Sequence, residues 1–358
     1  MAGLNAVITG WGMYVPPKVI TNADLEKMVE TSDAWITDRT GIKERHVAGE
    51  NESTSTMGAK AGRKALERAG LAPRDVDAII CATMTPDHFI PSTACLIQAE
   101  IGATRAAVFD LEAACTGFIY GLAVARGLIV SGAAKTVLLV GAETMSRFID
   151  WTDRGTCVLF GDGAGAVVVE ASNASVGIES TVLRGDGTKA ELLWIPAGGA
   201  KHPPSQNGDR PDSYFVKMAG GEVFKLAVMR MAEAAEQAIV EAGLRLEDIA
   251  LLVPHQANVR IIDAVAKRLR IDPAKSFVNI QKYGNTTAAS IPMALCEAAE
   301  QGKMKRGDKI LFVAFGAGMT WGASVMEWFG PVDAYRKQSL VGRLQRELES
   351  RIEEIVNR

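Results

Sequence analysis

The chain has 358 residues, about two domains' worth of packed core at the usual ~150 residues per domain, which excludes a small stapled scaffold. Its 48% hydrophobic and 23% charged residues are those of a folded globular protein and not of a disordered chain. Lys plus Arg at 39 against Asp plus Glu at 42 leave a net charge of −3, so no overall basic field exists to hold a polyanion, and nucleic acid is not an expected partner.

At the N-terminus, Met1-Ala2-Gly3-Leu4-Asn5-Ala6-Val7 offers neither a basic leader nor an apolar core ending at a cleavage site, so no export signal is expected. Short runs rich in Val, Ile and Leu then occur at 78–81, 107–109, 136–140 and 166–169. Helical patterns separate them, which predicts the buried strands of an α/β sheet with both faces covered. Further strands are expected at 249–253 and 277–279. The uncharged stretch 310–326 contains Gly316, Gly318 and Gly322, so it reads as strand, turn and strand, and no membrane span is expected.

The chain also echoes itself. Ala69-Gly70-Leu71, with Asp75-Val76 and Ile79-Ile80, recurs 173 positions later as Ala242-Gly243-Leu244, Asp248-Ile249 and Leu252-Val253. Lys135-Thr136-Val137-Leu138-Leu139-Val140-Gly141 is matched by Lys309-Ile310-Leu311-Phe312-Val313-Ala314-Phe315-Gly316. Phe160-Gly161-Asp162-Gly163 and the strand after it are matched by Phe315-Gly316-Ala317-Gly318 and the strand after that. Echoes in one order predict a duplicated α/β fold whose halves span 1–175 and 176–330. Two segments stand outside it: 197–212, a loop by its Gly, Pro and Asn-Gly signals, and 331–358, where Leu340, Leu344, Leu348, Ile352 and Ile355 recur at helical spacing.

Five cysteines, Cys81, Cys95, Cys115, Cys157 and Cys296, are odd in number and lack CxxC spacing, which argues against a disulfide framework or a zinc site and for a reducing cytoplasm. Cys81 sits in an expected strand and Cys296 in a helical stretch, so both read as core. Position leaves Cys95 and Cys157 undecided. Cys115 follows the strand at 107–109 and precedes an apolar helix, Ile119-Tyr120-Gly121-Leu122-Ala123-Val124-Ala125. There the unpaired N–H groups and the helix dipole would favour a thiolate nucleophile; a packed core cysteine is the other reading. Of the four histidines, His202 falls in the loop and His46 in a charged turn, leaving His88 and His255. His255, in Pro254-His255-Gln256-Ala257-Asn258, follows a strand. Asn285, in Tyr283-Gly284-Asn285-Thr286-Thr287, lies where another strand is expected to give way to a helix. An offset of 170 pairs Asn285 with Cys115, so a duplicated fold would bring a Cys, a His and an Asn to one cleft.

Several segments together resemble the 3-oxoacyl-[acyl-carrier-protein] synthase III family. They are Thr21-Asn22-Ala23-Asp24-Leu25-Glu26, Trp35 through Arg39-Thr40-Gly41-Ile42, Asp153-Arg154-Gly155-Thr156, Pro254-His255-Gln256-Ala257-Asn258, Gly284-Asn285-Thr286 and Phe315-Gly316-Ala317-Gly318-Met319-Thr320-Trp321-Gly322. The resemblance implies a thiolase-like fold of layered αβαβα architecture. It also implies a cytoplasmic, homodimeric condensing enzyme that starts fatty-acid synthesis from an acyl-CoA and malonyl-acyl carrier protein, with coenzyme A as part of a substrate and no metal or redox cofactor. It places Cys115, His255 and Asn285 in the catalytic triad and the backbone N–H groups of Cys115 and Ala317 in the oxyanion hole. Trp35 and Arg154 would sandwich the adenine, with Arg39 at the phosphates and Thr31 nearby. Phe224 and Asn258 would line the pantetheine tunnel, Lys225, Arg260 and Lys267 would meet the acidic carrier protein, and Ile90 would end the acyl pocket.

The chain departs from the family pattern at Gly221, where the best-known members carry Asn, and at Ile90, where several carry Phe. A thiolase would need a second cysteine in the glycine loop Gly316-Ala317-Gly318-Met319, which has none, and Ala113-Ala114-Cys115-Thr116-Gly117 lacks the first glycine of a hydrolase elbow. A condensing enzyme of specialised metabolism or of biotin precursor synthesis is the neighbouring reading, and a silent acyl-CoA-binding protein the one from another class.

Overall fold

The structure, a computed structural model, describes residues 4–204 and 211–330. Nine strands build two sheets. β1 (Asn5–Tyr14), β2 (Ala78–Ala82), β3 (Ala107–Leu111), β4 (Thr136–Glu143) and β5 (Gly163–Ser172) form the first, in the order β1-β5-β4-β2-β3. β6 (Ile178–Gly185), β7 (Ile249–Pro254), β8 (Lys309–Gly316) and β9 (Thr320–Glu327) form the second, in the order β7-β8-β9-β6. In each, a parallel pair (β4 on β2, β8 on β7) continues into antiparallel neighbours. Read from the other edge, the second sheet repeats the first except for a partner to β3.

Burial explains the apolar runs. Every residue of β4 is buried, because the strand is central and helices cover both faces. Between the sheets lie α4 (Gly117–Val130) and α7 (Ser290–Glu300), introduced here with the other helices: α1 (Asp33–Thr40), α2 (Thr54–Ala69), α3 (Thr93–Ile101), α5 (Gly220–Glu241) and α6 (Val259–Leu269). Phe118, Ile119, Leu122, Ile291 and Leu295 from the middle layer pack with Ile80, Leu139, Val253 and Phe312 from the two sheets. α2 and α3 cover the outer face of the first sheet and α5 and α6 that of the second, giving five layers, αβαβα. α2 lies so close to β1 that a Cβ on Gly12 would overlap the Ala61 carbonyl oxygen. Ser53 caps this helix and Gly70, at φ 59°, ends it in the left-handed conformation that glycine adopts without penalty.

The strand expected at 277–279 is reduced to one parallel bridge between Leu252 and Ser276. The Gln256 side chain takes over the backbone groups that a ladder would have used: its amide donates to Pro254 O (2.8 Å) and Phe277 O (3.1 Å), and its oxygen accepts from Asn279 N (3.0 Å). We propose that the two halves meet near residue 175, in the turn between β5 and β6. The described parts of the expected loop are 197–204, mostly turns and bends, and 211–212, where the short 3-10 turn Pro211–Tyr214 begins; the helix expected within 331–358 lies outside the described residues. No helix among the described residues is long and apolar enough to cross a membrane.

Candidate active site

Two turns face each other between the sheets. After β3, Ala114–Thr116 makes a single 3-10 turn and α4 begins at Gly117; Thr287–Ala289 makes the matching turn before α7. Ala114 has φ 48° and Thr287 φ 50°, both in the left-handed region that non-glycine residues rarely occupy and that marks functional turns. Their offset is 173, so the structural counterpart of Cys115 is Ala288, and Asn285 precedes the second turn. The expected pairing at 170 is corrected accordingly.

Each turn is held by the opposite half. At the end of β8, a Cβ on Gly316 would stand 2.8 Å from Cys115 N and 3.2 Å from Thr116 N. On β4, a Cβ on Gly141 would overlap the Ala288 carbonyl oxygen. Only glycine permits such approach. The Thr320 hydroxyl, at the start of β9, lies 2.5 Å from the Thr116 hydroxyl and 3.1 Å from the carbonyl oxygens of both Ala113 and Ala317. It thereby ties the glycine loop to the cysteine turn.

Cys115 is 5% exposed. Burial, and next the Glu143 carboxylate, push its thiol well above the usual range. The thiolate expected from the helix end is therefore not the resting form: loss of hydration outweighs the terminal N–H groups. Glu143 is itself fully buried, and burial pushes it up to about 7 against hydrogen bonds from Thr85 Oγ1 (2.5 Å), Met84 N (3.2 Å) and Thr83 Oγ1 (3.1 Å).

His255 follows β7, and its N–H extends the ladder to Val313 O (2.8 Å). Burial lowers it to about 3, so the imidazole is neutral. Its Nδ1 lies 2.6 Å from Ser290 Oγ. Asn285 is clamped to the first half through its N–H to Leu159 O (2.8 Å) and its carbonyl oxygen, which accepts from Gly161 N (3.0 Å). Its Oδ1 accepts from Thr287 N (2.9 Å), and its NH2 has no partner among the described residues.

Cys115, His255, Asn285 and Ala317 all line one cavity of about 750 Å³. Much of the remaining wall is apolar, including Val158, Met218, Val223 and Phe315. Phe224 and Asn258 also line it; Asn258 additionally caps α6, accepting from Arg260 N at 2.8 Å. Trp35, Arg39 and Arg154 line it too, with both guanidinium groups 4.8 Å from the Trp35 ring centroid. Arg154 lies against the Trp35 ring, so the indole and the guanidinium expected to hold an adenine are adjacent at the wall. Thr31 is not part of the wall, and its Oγ1 is buried without a partner. Arg260 is exposed at the wall, while Lys225 and Lys267 are exposed outside it.

Ile90 is 89% exposed and lines no part of this chain's own cavity. Sequence reasoning passed over Glu143, Ser290, Gly316 and Thr320. Gly316 and Thr320 belonged to a recognised glycine-rich stretch, but their contacts cross between halves, and the burial of Glu143 gives no signal in a strand end reading Gly141-Ala142-Glu143. It also passed over Trp194, which lines the cavity from a two-residue strand.

Sequence models of 3-oxoacyl-[acyl-carrier-protein (ACP)] synthase III match residues 109–187 and, for its C-terminal part, residues 239–328. The chain is similar to the beta-ketoacyl-[acyl-carrier-protein] synthase III of Roseiflexus sp. (strain RS-1), 54% identical over 323 residues, covering 90% of this chain and 98% of that protein. Among solved structures it is similar to 3-oxoacyl-[acyl-carrier-protein] synthase III from Aquifex aeolicus VF5, with TM-score 0.85, 50% identity and coverage of 90% and 100% of the two chains. The priming beta-ketosynthase of the R1128 polyketide pathway also superposes, with TM-score 0.85 at 35% identity, covering 91% and 97%. The layered architecture is the thiolase-like fold of these structures. Identity of this order, sustained along nearly the whole length of the relatives, means that the chain belongs to the 3-oxoacyl-[acyl-carrier-protein] synthase III family.

Proposed function

We propose that Cys115 accepts the acyl group and that His255 and Asn285 together hold the enolate oxygen formed from the malonyl thioester. The enzyme is an acyltransferase that condenses an acyl-CoA with malonyl-[acyl-carrier-protein], with loss of CO₂, to initiate fatty-acid synthesis. The observation that carries the residue assignment is the convergence of a buried thiol, a neutral imidazole and a carboxamide whose NH2 has no partner among the described residues on one largely apolar cavity.

In the first step the Cys115 sulfur attacks the acyl-CoA carbonyl, the bond to the coenzyme sulfur breaks, and the thiol proton leaves with that sulfur. The thiol is protonated at rest, so attack and proton loss go together. The N–H groups of Cys115 and Ala317 stabilise the oxyanion, at roughly 10² to 10³ in rate per donor. Malonyl-carrier protein then loses CO₂, and the electron pair of the broken C–C bond moves onto the thioester oxygen. Two neutral donors, the imidazole N–H and the Asn285 NH2, suit an oxygen that becomes negative only in passing. The carbon attacks acyl-Cys115, the bond from the acyl carbon to the Cys115 sulfur breaks, the 3-oxoacyl chain departs on the carrier, and the thiolate left behind takes a proton from solvent to restore the resting thiol. Apolar walls keep water from the acyl-enzyme.

The same reading gives Trp35, Arg39 and Arg154 to the coenzyme nucleotide, with Thr31 nearby, and Phe224 and Asn258 to the pantetheine arm. A Cβ at Gly221 would meet nothing within 4 Å, so the tunnel is open where the family carries Asn. Arg260 and Lys267, seven residues apart on α6, and Lys225 on the neighbouring α5 form an exposed basic surface for the carrier protein. Phe89 and Ile90, 81% and 89% exposed, support a homodimer in which Ile90 ends the acyl pocket of a second copy, and the free cysteines suit a cytoplasmic location. Mass spectrometry after mixing with acetyl-CoA should find one acyl adduct, on Cys115 and absent from Cys115→Ala; an adduct on Cys157 would refute the assignment.

A further inference from the structure

We propose that Ser290 is a positioning residue that decides which nitrogen of His255 carries the proton, an inference that rests on the reading of His255 as a donor to the enolate. His255 and Ser290 are each 2% exposed, and Nδ1 and Oγ are 2.6 Å apart. A neutral imidazole has one N–H, so this contact takes one of two forms: the ring donates to the hydroxyl, or the hydroxyl donates to the ring.

Accounting for the serine decides between them. Besides the imidazole, the other polar contact of Ser290 Oγ is Gln256 N, at 3.4 Å, and a backbone N–H can only donate. If the ring also donated, the buried serine proton would have no acceptor, the arrangement that folded proteins avoid. The hydroxyl therefore donates to Nδ1, and the remaining proton sits on Nε2. The relay runs from Gln256 N–H to Ser290 O–H to His255 Nδ1, and leaves the ring an N–H donor for the cavity that Asn285 also lines. In the other tautomer a lone pair would meet the incoming negative oxygen.

The relay is anchored at both ends. The Gln256 side chain is fixed by Pro254 O, Phe277 O and Asn279 N, which holds its backbone amide in place. Ser290 opens α7 directly after the Thr287–Ala289 turn. Its counterpart in the first half, at the offset of 173, is Gly117, which has no side chain; the hydroxyl is thus particular to the half that carries His255.

The test uses the full chain labelled with ¹⁵N-histidine, with the His255 signals assigned by comparison with His255→Gln. The wild type should show a pyridine-type Nδ1 and a protonated Nε2. In Ser290→Ala the other tautomer should appear, acylation of Cys115 by acetyl-CoA should persist, and CO₂ release from malonyl-carrier protein should fall at least tenfold, with recovery in Ser290→Thr. A wild-type His255 protonated on Nδ1, or a Ser290→Ala enzyme with unchanged tautomer and unchanged CO₂ release, would overturn the proposal. Full CO₂ release by His255→Ala would instead remove the donor reading beneath it, whatever tautomer the spectra show.

Discussion

At the residue scale, two buried titratable groups act in opposite directions on folding. Glu143 titrates near 7 in the folded chain against an ordinary 4.5. Between these values the folded state holds a proton that the unfolded state lacks, so stability falls as pH rises. His255 titrates near 3 against an ordinary 6.5. In that interval the unfolded state holds the extra proton, so stability rises with pH. The two contributions, each about 1.4 kcal/mol per pH unit, offset one another over the shared window. Glu143→Gln should uncover the His255 slope: urea unfolding between pH 4.5 and 6.5 should show stability rising with pH more steeply than in the wild type. Parallel curves would show that Glu143 is ionised throughout. Burial, with the Glu143 carboxylate next, keeps Cys115 protonated at rest, which suits a nucleophile that must reclaim a proton every cycle.

At the scale of elements, the site depends on strand ends that press against turns of the opposite half. Gly316 on β8 supports the cysteine turn, and adding one methyl there drives a Cβ into Cys115 N. Gly316→Ala should slow acylation of Cys115 by tenfold or more in single-turnover quench experiments and destabilise the fold by about 1–3 kcal/mol, the usual cost of overpacking. Wild-type acylation in that variant would show that the turn does not need the close approach. The same element scale explains what the sequence revealed. Buried strands were legible because a central strand must be apolar throughout, and the duplication because two halves solve the same packing problem. The 277–279 strand was misjudged because a side chain, Gln256, replaced its ladder bonds. The pairing of Cys115 with Asn285 slipped by three residues because apolar echoes carry no record of positive φ at Ala114 and Thr287. The thiolate expectation weighed a helix end without the burial that opposes it.

On the scale of the whole molecule, the two sheets and the helices between them bring a cysteine from the first half to a His and an Asn from the second, in one largely apolar cavity. We propose that each half carries only part of the chemistry, the first accepting an acyl group and the second holding an enolate. The most direct test of this division of labour is to charge Cys115 with an acetyl group in wild type and Asn285→Ala, quantify the adduct, and then measure CO₂ release from malonyl-carrier protein in a single turnover. The account predicts equal adduct in both proteins and CO₂ release reduced at least a hundredfold in the variant. Loss of adduct in proportion to loss of CO₂ release, or CO₂ release at the wild-type rate, would contradict it.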